Sequence, residues 1–156
     1  MGRRTGAVLV SLLLLLTLAV SASAAAVKMT VGVRFWRESG DKESMADSAV
    51  DTTREATLTR QPNGTFTLEL PVKQLSSMNM TGRLTGIAIG EVNYDGTLSG
   101  SFDDDTALLT IKNLPASVLT GSDAGKALAV TCSIKMDTIL LGDISTSAKM
   151  SIWVER

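Results

Sequence analysis

Four stretches of the chain alternate apolar and polar residues with a period of two. "MTVGVRFW" places Met29, Val31, Val33 and Phe35 on one face, and "TFTLEL" does so with Phe66, Leu68 and Leu70. "LAVTCSIKM" aligns Leu128, Val130, Cys132, Ile134 and Met136, and "AKMSIWV" aligns Ala148, Met150, Ile152 and Val154. Successive side chains of a strand point to opposite faces, so each stretch reads as a half-buried strand. Turn signals lie between them. "PNGT" at 62–65 is a hairpin signal, because Asn-Gly suits the positive φ angles of a type I′ turn, and "YDGT" at 94–97 is a second. "LPASVLTGSDAG" from Leu114 is a longer connection without a period. No helical segment of length follows the N-terminal region. Short strands joined by Gly, Asn and Asp turns predict an antiparallel β-sandwich. Its core is expected to hold Val31, Val33, Phe35, Leu68, Leu70, Val130, Cys132, Ile134, Met150 and Ile152.

The N-terminus follows a different rule. Arg3 and Arg4 precede the apolar run "AVLVSLLLLLTLAV", and "SASAAA" ends it with small residues. Basic start, apolar middle and small-residue end make residues 1–26 a secretory signal peptide, or an anchor if uncleaved, since the run is long enough to span a bilayer. Residues 27–156 then form a single domain, and the protein is expected to be secreted or at the cell surface. No second apolar stretch is long enough to cross a membrane. Without Arg3 and Arg4 the 15 basic residues become 13 against 16 acidic ones, a net charge of about -3. That balance argues against a nucleic-acid partner, which would want a basic face.

Candidate chemistry is sparse. The chain has no histidine and one cysteine, so Ser-His and Cys-His pairs, most zinc sites and an internal disulfide are all excluded. Cys132 lies on the apolar side of its strand and reads as a buried packing thiol. Asp103, Asp104 and Asp105 read as a solvated turn, since three adjacent aspartates cannot all face one calcium ion and the glycine of a calcium loop is missing. An enzyme is not expected.

"GDKESMADSAV", Gly40 to Val50, sets the methionine Met45 among charged and small residues. Two readings stay open: Met45 covers an apolar ligand groove, or it plugs the end of the sandwich. The segment has company. "VRFWRESGDKESMADSAV" from Val33, "PNGTFTLELPV", "SSMNMTGRLTGIAIG" from Ser76 and "GDISTSAKMSIWV" together resemble the NEAT (near-iron-transporter) family, from about Thr30 to Trp153. In that family a first strand ends in an aromatic, a short helical turn bears Ser-Met, and an "MTG-L" segment follows the next hairpin.

The resemblance implies an immunoglobulin-like antiparallel β-sandwich on a Gram-positive surface that takes haem as its ligand and serves iron acquisition. It implies that Ser44 and Met45 form the upper lip of the haem groove, the serine reaching a propionate and the methionine covering the porphyrin. The floor would include Met136, Ile144, Ala148, Met150 and Ile152. Haem binders of the family carry two tyrosines four apart at the last strand, and one phenolate ligates the iron. Here those positions fall at Ile144 and Ala148, which cannot bind a metal, and the only tyrosine, Tyr94, stands elsewhere. Met150, sharing their face, would be the candidate iron ligand, with Met136 on the preceding strand, each a soft thioether suited to reduced iron. Two other classes of function remain beside haem acquisition. One is a module that binds another apolar ligand or another surface protein without haem; the other is a structural domain of the cell envelope.

Overall fold

The computed structural model describes residues 25–77, 79–138 and 142–156. The signal segment, residues 1–24 in particular, lies outside the described residues. Among the described residues nine strands follow in order: β1 Val27–Trp36, β2 Ala56–Arg60, β3 Phe66–Pro71, β4 Leu75–Ser77, β5 Met80–Ile89, β6 Val92–Ser99, β7 Leu108–Leu114, β8 Leu128–Met136 and β9 Asp143–Val154. The helical elements among the described residues are three short 3-10 turns, Met45–Ala49, Ala116–Val118 and Ala124–Lys126. None of the described helices is long and apolar enough to cross a membrane.

Every pairing is antiparallel, as expected. The strands run β5-β6-β7-β3-β2-β1-β9-β8, and β8 pairs back with β5, so eight strands close a ring. β4 is added beside the first residues of β5. Closure leaves few edges open to pair with other chains. A register shift between Leu84 and Gly86 lets β5 turn from one neighbour pair to the next.

The ten residues expected in one core are all buried there. The end of the last alternating stretch departs from expectation: Val154 is exposed, although Val31 opposite it on β1 is buried. Both turn readings also need correction. "YDGT" lies inside β6, and the chain reverses at Gly90-Glu91, where Ile89 pairs with Val92 and Gly90 takes φ +60°. The apolar periodicity around it is weak, so Asp-Gly was the louder signal. "PNGT" does turn the chain, but not as type I′, since only Gly64 has positive φ. Pro62 fixes a negative φ at its own position, which suits a type I start. Asn63 instead accepts from the N–H and hydroxyl of Thr65 through its side chain. Asp103 to Asp105 sit in the exposed turn between β6 and β7, where Asp104 accepts from the Thr106 N–H.

Candidate functional site

One end of the ring is built differently from the rest. β1 pairs with β9 only from Val31 opposite Val154 to Trp36 opposite Lys149. β8 pairs with β9 out to Lys135 opposite Asp143. Asp143 to Ala148 therefore have a strand on one side and none on the β1 side. The β8–β9 hairpin projects past the end of β1, and its inward positions there are Ile144, Thr146 and Ala148.

The Met45–Ala49 turn sits at the same end, against β1, β4 and β5. Ser44 starts it: its Oγ accepts from the Ala46 N–H at 3.1 Å, the usual service of a serine at a helix N-terminus. The spacing of three in a 3-10 turn puts Ala46 and Ala49 on one face, and both are fully buried. Three hydrogen bonds hold the turn. The Ser44 N–H donates to Phe35 O at 2.9 Å, the Phe35 N–H donates to Asp47 Oδ1 at 2.8 Å, and the Lys73 N–H donates to Ala49 O at 2.8 Å. Burial pushes the Asp47 carboxyl above its ordinary pKa, against the opposing pull of the Phe35 N–H.

With Ala46 and Ala49 turned inward, Met45 faces out and is 43% exposed. It does not plug the ring. Ser44 and Met45 line an open depression with Arg34, Arg37, Glu43, Asp47, Ser48 and Lys73. Arg34 pairs with Glu43 at 3.6 Å and lies over the Trp36 ring, whose Nε1–H donates to the buried Ser151 Oγ at 2.9 Å. Among the described residues, Arg37 and Lys73 have no ion pair.

The expected floor residues divide into two groups. Ile144 and Met136 are half-buried at the projecting end, and Ala148 is buried just inside it. Met136 pairs with Gly82, and its sulfur lies where a Cβ at Gly82 would stand 2.8 Å away, so the missing side chain makes its place. Asp137 pins the hairpin base to β5: its N–H donates to Thr81 O, and its carboxylate accepts from the Thr81 hydroxyl and the Gln74 amide. Met150 and Ile152, by contrast, are fully buried, with Phe35 and Val33 opposite them on β1. Flanking strands enclose both, so they belong to the core beneath any groove rather than to its surface. The Met150 thioether has no open path to an external iron.

The other potential ligand groups are also out of reach. Cys132 is fully buried, and desolvation pushes its thiol up to about 12. Tyr94 is half-buried on β6, opposite Ile87. No group of three or more His, Cys, Asp or Glu able to hold a metal occurs among the described residues.

No protein-family profile matches the sequence, and no curated protein matches it. Solved structures do. The NEAT5 domain of IsdX2, a B. anthracis hemophore in complex with heme, superposes with a TM-score of 0.52 at 9% identity, over 85% of this chain and 99% of that one. A mutant of the same IsdX2-NEAT5 domain in complex with heme gives the same figures. The chain has the fold of a NEAT domain. At 9% identity the likeness is one of backbone, and within this NEAT-like fold the side chains at the projecting end are the chain's own.

Sequence reasoning missed the open β9 edge and the cations beside the lip. "DISTS" carries one apolar residue, too little contrast to show that the strand begins at Asp143. Arg37 and Lys73 are far apart in sequence, and only the tie from Lys73 to Ala49 brings them to one depression.

Proposed function

We propose that this protein is an exported or cell-surface binding domain of the NEAT kind that takes up haem, with residues 1–26 serving export and residues 27–156 forming an immunoglobulin-like β-sandwich. The ring is read as that sandwich, its two layers joined at their edges by hydrogen bonds. The ligand is placed between the Met45–Ala49 turn and the open edge of β9, with Ser44 and Met45 above and Met136, Ile144 and Ala148 below. One observation carries the reading: an exposed methionine stands on a firmly held turn packed against the end of β1, the end beyond which the edge of β9 is left unpaired, in a fold shared with a haem-bound hemophore domain. Its role is binding rather than catalysis. Ser44 Oγ accepts from Ala46 and keeps its own hydrogen for a carboxylate. The test is an absorption titration of the protein with haem. The expected result is a saturable change at one haem per chain without the bands of a tyrosinate-bound ferric iron. A change that never saturates overturns the reading. Among the described residues the open edge of β9 carries no iron ligand, which favours a second reading, in which the same lip binds a protein or another apolar molecule.

A further inference from the structure

The described residues at the open end fit the ring of haem and do not fit its iron. Ile144 and Ala148 offer no donor atom. Cys132 is enclosed and held protonated near neutral pH, Met150 is enclosed, and Tyr94 stands on another strand pair. Met136 rests its sulfur against Gly82, and Met45 is a solvent-exposed thioether on the lip. Neither thioether suits a ferric centre, since soft sulfur is a weak donor to it. What the site does offer is apolar surface and an excess of positive charge, with Arg34, Arg37 and Lys73 set against the carboxylates of Glu43 and Asp47. Arg37 and Lys73 border the lip without an ion pair among the described residues, and Ser44 and Met45 line the same depression.

We infer that the site recognises a flat tetrapyrrole dicarboxylate by its ring and its carboxylates and is indifferent to the central metal. This rests on the reading that a tetrapyrrole binds here at all. The ring's apolar faces are covered by Met45 and Ile144, and its carboxylates meet Arg37, Lys73 and Ser44. Charge complementarity gives orientation, because Arg37 and Lys73 lie together beside the lip, whereas Lys135 on the hairpin stands opposite Asp143. Metal-free and metal-filled rings then present the same surface to the protein.

The experiment compares four probes on the full protein: ferric haem, zinc protoporphyrin IX, metal-free protoporphyrin IX and its dimethyl ester. Absorption reads the first, and fluorescence the other three. The expected result is that ferric, zinc and metal-free rings bind with Kd values within about threefold of one another, where an iron–protein bond would separate them by far more. The ester is expected to bind at least about fivefold more weakly, and an Arg37→Gln, Lys73→Gln double variant to weaken the diacid without affecting the ester. Ferric haem binding more than about tenfold tighter than the metal-free ring overturns the inference and leaves the haem reading standing. An ester that binds as well as the acid overturns the part assigned to the cations. Binding of none of the four overturns the inference and the haem reading together.

Discussion

Asp47 Oδ1 accepts a 2.8 Å hydrogen bond from the N–H of Phe35, joining the lip turn to the last buried residue of β1. Asp47→Ala leaves that N–H without its partner and is expected to cost about 1–3 kcal/mol, whereas Asp47→Asn keeps an acceptor oxygen in place. The sign with pH follows from the raised carboxyl. A folded-state pKa above the unfolded value means the native protein loses stability as pH rises from about 3.8 through the folded pKa. The asparagine variant lacks that loss, so its stability relative to the parent improves across the same interval. Denaturant melts of the three proteins from acid to neutral pH check both statements.

Met45 and Met150 separate the surface from the core. Met45→Ala is expected to cost under about 1 kcal/mol of stability, as for an exposed site, and to weaken ligand binding. Met150→Ala should cost about 2–5 kcal/mol, the range for a truncated buried methionine. Met150→Leu should leave binding unchanged. Thermal melts and haem titrations of the three variants decide.

Cys132 has a thiol pushed up to about 12 and no exposed surface, so it should react slowly with a thiol reagent in the native protein and fast in denaturant. Cys132→Ser places a hydroxyl in an apolar site and is expected to cost about 1–3 kcal/mol. Labelling rates followed by mass measurement test the first expectation, and a denaturant melt the second.

Asp51 sustains the acid side of the stability curve. The Thr53 hydroxyl and the Arg54 guanidinium, 2.8 Å away, lower its pKa to about 2, and Arg54 also donates to the carbonyls of Val72 and Ala107. A depressed carboxyl stabilises the fold above its unfolded pKa, and the benefit fades as pH falls from about 4 towards 2. Asp51→Asn should therefore lower the denaturation midpoint at neutral pH and flatten its decline between about pH 4 and 2.

Four of the strands that line the core, β1, β3, β8 and β9, were legible in the sequence because burial on one face only leaves a period of two, and Phe35, Leu68, Cys132 and Met150 all lie where that period put them. Strands β2, β4, β5, β6 and β7 were not read as strands. β6 mixes Asn93, Asp95 and Gly96 into its run, and β5 is interrupted by the register shift at Leu84 to Gly86, which breaks the alternation. At the site the exposure of Met45 depends on Ala46 and Ala49 turning inward, and nothing local in "SMADSA" decides which face is buried. The depth of Met150 was the harder matter. Sharing a face with Ile144 and Ala148 says nothing of how far β1 extends alongside, and it is the end of β1 at Trp36 that divides open edge from core.

The central claim is one of place: the ligand lies between the Met45–Ala49 turn and the open edge of β9. The most direct measurement is a map of backbone amide signals by NMR as haem is added to the protein. The account predicts that the signals of Ser44 to Ala49 and Asp143 to Ala148 shift or broaden together and saturate, while those of Val92 to Ser99 on the far strand pair stay unchanged. Changes gathered on another part of the ring, or no change in either segment at saturating haem, would contradict it.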